Sequence, residues 1–279
     1  RASRALRFVY DAAGTATVPG QLELAALDEA VFEWLRATQP CGQLAYAREI
    51  EVGVPSARDD RDTIHFRDDR WCRPMVGDEP EVCYPSSATA VTRVLFVDNP
   101  DDPADGTILE TDIEINAVNF ALVVSGAPIP ARGIPVDLRS VVTHEIGHAL
   151  GLDHNCDPGT GSHPTDLDGE PVPTCGSADT AYADATMYFQ VQPNDTRMRT
   201  LEPGDVEGAC ALLAPRTSEV SGGCSTGPHP NGAAATVWSV TVVWLTLRRR
   251  RRCVTWGSRS RSMARSMDSG CRGSRGRCR

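Results

Sequence analysis

His144-Glu-Ile-Gly-His-Ala-Leu-Gly-Leu-Asp-His154 decides how this chain is read. The stretch spells H-E-x-x-H-x-x-G-x-x-H, three imidazoles and a carboxylate in fixed places. His144 and His148 stand four apart, so on a helix they share one face. Glu145 lies beside that face, placed to hold a water rather than a metal. Gly151 tolerates positive φ, so it can end the helix and turn the chain back toward His154. Three neutral imidazoles on one zinc ion leave a fourth tetrahedral position open, as a catalytic rather than a structural site requires. The candidate metal ligands are therefore His144, His148 and His154, with Glu145 as candidate general base.

The residues around the motif support a buried helix. Asp137 follows Pro135 by two positions and suits an N-cap. Leu138, Val141, Val142, Ile146, Ala149 and Leu150 then recur at helical spacing. A satisfied core histidine explains one imidazole, but not three in register with a glutamate.

On these residues the chain resembles the metzincin metallopeptidases, and among them the matrixin-like bacterial group. Ala185-Thr-Met-Tyr188 is similar to the Met-turn, which implies that Met187 forms an apolar floor beneath the histidines. Leu201-Glu-Pro-Gly-Asp205-Val-Glu-Gly208 resembles the opening of the matrixin C-terminal helix, with Asp205 anchored near the zinc helix. Ile108–Asn116 resembles a strand of bacterial matrixin-like domains and is expected to offer the exposed edge along which an extended substrate lies. The resemblance covers roughly residues 5–214. It implies an α+β, zincin-like metzincin catalytic domain: a twisted mixed sheet, long helices and the zinc helix at a cleft. It also implies a pocket for the substrate residue after the cut, near Tyr188 and Phe189. Three departures stand out. Asn155 follows the third histidine where matrixins have Ser, Phe189 stands where they have Pro, and Tyr188 adjoins Met187 rather than standing two positions on. The last spacing argues against Tyr188 as a metal ligand.

Charge is segregated. The chain has no Lys; residues 1–247 hold 16 arginines against 36 acids, while residues 248–279 hold 12 against Asp268 alone. An acidic domain is poorly suited to nucleic acid. Before the tail, Cys41, Cys72, Cys83, Cys156, Cys175 and Cys210 show no C-x-x-C spacing and suit three disulfides in an oxidising, extracytoplasmic compartment. Fifteen connectivities are open for six cysteines. Proximity favours Cys72–Cys83 and Cys156–Cys175, leaving Cys41 for Cys210. Pro40-Cys41-Gly42 also resembles the inhibitory cysteine of matrixin propeptides, but it follows the first helix, which favours the disulfide.

Strands are expected near Arg7–Tyr10, Arg48–Gly53, Thr63–Phe66, Val91–Val97 and Ile108–Asn116. A helix is expected over Leu22–Ala37 with Leu24, Leu27, Val31, Phe32 and Leu35 on its core side. The acidic loop Asp98–Gly106 offers oxygens for Ca2+, a candidate second cofactor, although it lacks the EF-hand pattern and a solvated hairpin loop is the plainer reading. His65, His163 and His229 show no ligand spacing.

The domain organisation reads as a catalytic domain over 1–215, a linker with a Gly-Cys motif over 216–232, an apolar helix with an Arg cluster over 233–252, and a basic disordered tail over 253–279. Ala233–Leu247 is short for a membrane span of about 20 residues. With Cys224 and Arg248–Arg252 it resembles the three-part C-terminal sorting signal of myxobacterial surface proteins. That resemblance implies at least transient membrane engagement and a surface-attached or secreted product, with an export signal expected ahead of Arg1. An ordinary C-terminal anchor is the alternative. The whole reads as a monomeric, zinc-dependent endopeptidase acting on proteins or peptides. A zinc amidase acting on cell wall, and a catalytically silent surface-binding module, remain the alternatives.

Overall fold

Strand β1 (Ser3–Asp11) and helix α1 (Leu22–Thr38) open the chain, followed by β2 (Gln43–Glu51) and β3 (Asp62–Arg67). A short hairpin, β4 (Cys72–Arg73) and β5 (Val82–Cys83), precedes the long strands β6 (Ala88–Val97) and β7 (Ile108–Asn116). Strands β8 (Phe120–Val123) and β9 (Ile134–Asp137) pair in parallel and lead directly into α2 (Leu138–Leu150). Helix α3 (Thr180–Asp184), β10 (Gln190–Val191), a 3-10 turn (Arg197–Arg199), α4 (Pro203–Leu213) and β11 (Arg251–Ser260) complete it. The structure is a computed structural model, and it describes residues 3–18, 21–99, 101–127, 129–159, 163–176, 180–213 and 251–260.

The main sheet has seven strands in the order β10-β11-β6-β7-β3-β1-β2. Strands β2, β1, β3 and β7 run parallel, and β6 runs antiparallel to β7. Helices α1 and α2 cover one face. Leu6, Phe8, Ile64, Ile113 and Ile115 of the sheet meet Leu27, Val31, Trp34, Val142 and Ile146 of the helices in one core. Burying each such side chain contributes about 1.5–3 kcal/mol. Trp34 ties the helices together, its indole Nε1 donating to the Thr143 carbonyl at 2.8 Å.

The other face is covered by polar groups and the β4–β5 hairpin. Alternation along β7 sends Glu110, Asp112 and Glu114 to this side, yet all three are buried. Arg93 meets Glu79 at 2.9 Å, Glu110 at 3.1 Å and also Asp112, while Arg67 meets Glu114 at 2.9 Å. Three disulfides, Cys41–Cys210, Cys72–Cys83 and Cys156–Cys175, match the pairing that proximity favoured. Cys41 is thereby committed to fastening α4 beside the end of α1, and an inhibitory role for it falls away.

Three expectations are corrected. Phe32 is 55% exposed, and Trp34 occupies the core position instead. Leu27, Val31 and Trp34 follow an i, i+4, i+7 stripe that leaves Phe32 about 100° to one side. There Phe32 packs edge-on against Tyr46 at 5.8 Å. Secondly, Ile108–Asn116 is an interior strand between β6 and β3 rather than a free edge. Thirdly, residues 253–260, expected to be disordered, belong to β11, which pairs antiparallel along β6 from Arg251↔Val97 to Arg259↔Ala88. Backbone pairing with an edge strand needs no particular side chains, so composition alone did not reveal it. The Gly-Cys linker with Cys224, the apolar run 233–247 and residues 261–279 lie outside the described residues. Among the described residues no helix is long and apolar enough to cross a membrane.

Candidate metal centre

Helix α2 begins where the sequence placed it. The Asp137 carboxylate accepts from the Ser140 N–H at 2.8 Å and caps the helix. The same carboxylate is gripped by Arg199, whose Nε lies 2.9 Å from Oδ1 and whose Nη2 reaches Oδ2. The helix stops at Gly151 with φ 105°. The Gly151 N–H donates to the His148 carbonyl at 2.9 Å and the Leu152 N–H to the Gly147 carbonyl at 3.0 Å, a Schellman closure. A side chain at Gly151 would be strained by that φ and would press on Ile108.

This turn returns His154 to the helix. His148 Nε2 lies 3.0 Å from His144 Nε2 and 3.3 Å from His154 Nε2. All three rings are buried. Two are oriented through their far nitrogens: His144 Nδ1 meets the Thr186 carbonyl at 2.6 Å, and His148 Nδ1 meets the Leu152 carbonyl at 2.8 Å. A carbonyl can only accept, so each Nδ1 carries the proton and each Nε2 lone pair faces the centre. Burial holds His144 down to about 4, and holds His148 and His154 well below the ordinary histidine value. Neutral imidazoles are what a metal requires.

The spacing fits zinc. Tetrahedral bonds of about 2.05 Å place ligand nitrogens roughly 3.3 Å apart, close to the separations seen. Among the described residues the only other group able to gather three ligand atoms is Cys72, Glu81 and Cys83, whose cysteines are joined in a disulfide. The Asp98–Gly106 loop brings no such group together among the described residues. Its Asp105 and Asp102 side chains instead accept backbone N–H groups of the loop itself.

Met187 lies buried against α2, packed where a side chain at Gly147 would otherwise project. Its turn is held by Asp205 of α4, whose carboxylate accepts the N–H groups of Thr186 at 2.9 Å, Met187 at 3.1 Å and Glu202 at 3.0 Å. The Thr186 carbonyl orients His144, so α4 supports the histidines through the Met187 turn. Glu145 is fully buried and accepts from Thr92 Oγ1 of β6 at 2.5 Å. Tyr188 and Phe189 pack edge-on against each other with ring centroids 4.9 Å apart. They do not line the large cleft beside His154, about 1080 Å³, which is bounded by Asn155, Pro164, Leu167, Tyr182 and Glu202. The loop forming that cleft is fastened by Cys156–Cys175. His163 lies on its rim, 3.4 Å from Asp157.

Sequence reasoning missed Thr92, Arg199 and the two carbonyls that aim the histidines. Carbonyls carry no residue signature, and Thr92 reads as an ordinary strand former. No curated protein matches the chain. Residues 54–165 match the family model of the matrixins, Peptidase_M10, over a stretch that contains β3 to β9, α2 and all three histidines. Over that stretch the chain is similar to a family of zinc-dependent metallopeptidases, and its mixed sheet with covering helices is the α+β, zincin-like arrangement expected from the sequence.

Proposed function

We propose that this protein is a zinc-dependent endopeptidase. The observation that carries the reading is the convergence of His144, His148 and His154 Nε2 atoms at zinc-ligand spacing, with Glu145 next to His144 on the same helix. A zinc ion held by these three nitrogens would polarise a scissile carbonyl and acidify a water. Glu145 takes the proton from the attacking water and passes it to the departing amine nitrogen. The Thr186 and Leu152 carbonyls keep His144 and His148 in the metal-binding tautomer throughout. Met187 excludes water from beneath the rings. An extended substrate would pair by main-chain hydrogen bonds with β6, the strand that reaches Glu145 through Thr92, on the side where β11 lies. Arg251–Ser260 lies along that same strand, so a substrate bound there competes with it. Tyr188 and Phe189 contribute to the pocket for the residue following the cut. The disulfides suit an extracytoplasmic protein, secreted or surface-attached.

The test is Glu145→Gln in the full chain. Zinc content stays at that of the wild type, and cleavage of a denatured protein such as casein is lost. Retained cleavage refutes the general-base role. Parallel digests of casein and of purified cell wall separate a peptidase from an amidase.

A further inference from the structure

Strand β6 alternates between two environments. Ala90 faces the main core, while Val91 packs in a small cluster with Trp71, and Arg93 joins the buried carboxylates of β7. Thr92 therefore turns its side chain toward α2, and it is fully buried. A hydroxyl buried there is costly unless paired. Valine has nearly the same shape and an equal preference for strands. Packing and secondary structure thus give no reason for the oxygen at this position.

The reason lies across the interface. Thr92 Oγ1 is 2.5 Å from Glu145 Oε2 and 3.4 Å from the Glu145 carbonyl oxygen. A hydroxyl carries one proton, and the shorter contact, to the carboxylate oxygen, takes it. Its χ1 is stiff because threonine is branched at Cβ, and its backbone is fixed between strands by pairing with Ile113 of β7. We infer that Thr92 is a positioning residue for Glu145: it fixes one carboxylate oxygen so that the other is aimed for proton transfer. This rests on the peptidase reading above. The carboxylate belongs to a flexible side chain, and misplacing a catalytic group by about 1 Å can cost roughly a hundredfold in rate.

The test compares Thr92→Val and Thr92→Ser in the full, zinc-loaded chain. Thr92→Val is expected to retain zinc and a KM within about threefold of wild type, while kcat falls about tenfold or more. Thr92→Ser, which keeps the hydroxyl, is expected to recover kcat to within a few-fold. A second readout needs no activity. In the metal-free chain Thr92→Val should lower the melting temperature, because it strips a donor from a buried carboxylate; in a Glu145→Leu background the same change should cost nothing. An unchanged kcat in Thr92→Val, or no recovery with serine, overturns the positioning role. Equal melting shifts in both backgrounds overturn the pairing itself, whatever the activity. Unequal shifts in the metal-free chain, together with a zinc-loaded wild-type chain that cleaves no peptide, support the pairing and sink the peptidase reading instead.

Discussion

Gly147 sits in the middle of α2, between the two histidines of the helix, where glycine is a poor helix former. Replacing it with alanine should gain about 1 kcal/mol of helix propensity if nothing else intervened. The packing predicts the opposite sign. A Cβ at Gly147 would fall 2.2 Å from Met187 Sδ and 3.0 Å from both Met187 Cε and Trp34 Cζ2. Ordinary contact needs roughly 3.5–4.0 Å, so the thioether must retreat by about 1.5 Å. Trp34 cannot yield, because its indole is bonded to Thr143. The backbone of Met187 cannot either, since its N–H is held by Asp205 and its carbonyl accepts from Asn155 at 3.1 Å. Overpacking costs about 1–3 kcal/mol; with the thioether forced so far aside the upper part of that range applies, which outweighs the helical gain and leaves Gly147→Ala destabilised by up to about 2 kcal/mol. At roughly 2–4 °C per kcal/mol for a domain of this size, the melting temperature falls by several degrees. Thermal and urea unfolding of Gly147→Ala, Met187→Ala and the double variant provide the assay. Met187→Ala alone leaves a cavity worth about 2–5 kcal/mol, and the added methyl group then has room, so the double variant is more stable than the sum of the singles implies. A Gly147→Ala protein stabilised by about 1 kcal/mol would refute this reasoning.

Other consequences follow from the same contacts. Asp205→Ala strips the acceptor from three backbone N–H groups and should cost about 3–5 kcal/mol; because it loosens the Thr186 carbonyl behind His144, zinc affinity measured by competition should fall about tenfold or more. His65 is buried, and burial with Arg67 nearby holds its pKa down to about 4. The unfolded chain therefore takes up that proton first, and stability is lost as pH falls from about 6.5 to about 4, a contribution of about 3 kcal/mol. Denaturant titrations of His65→Gln should lack this part of the slope; parallel profiles would contradict the assignment. Cys156→Ser with Cys175→Ser opens a loop of 19 residues beside His154. It should cost about 3 kcal/mol and leave the zinc content unchanged, since the three ligands lie outside that loop.

What was legible in the sequence was local. The zinc helix announced its cap at Asp137, its periodic apolar face and its stop at Gly151, because each depends on residue type at a fixed offset. The disulfides followed from counting and proximity. Tertiary competition was harder to read. The i, i+4, i+7 stripe admits Trp34 and leaves Phe32 aside, though both are large and aromatic. The alternation of β7 suggests a solvated acidic face, but Arg93, Arg67 and Ser56 cover Glu110, Asp112 and Glu114. An interior strand and an edge strand look alike until their neighbours are known, so the residues of Ile108–Asn116 alone do not reveal that β6 and β3 flank it on both sides. Gly147 and Thr92 were invisible for the same reason: each is explained by side chains on distant segments.

The most direct test of the account is a zinc titration of cleavage by the purified full chain. The chain stripped by a chelator should be inactive on a denatured protein, and activity should return in proportion to added zinc, reaching its maximum at one ion per chain. Cleavage that persists in the zinc-free chain, or a fully loaded chain that cleaves nothing, would contradict it.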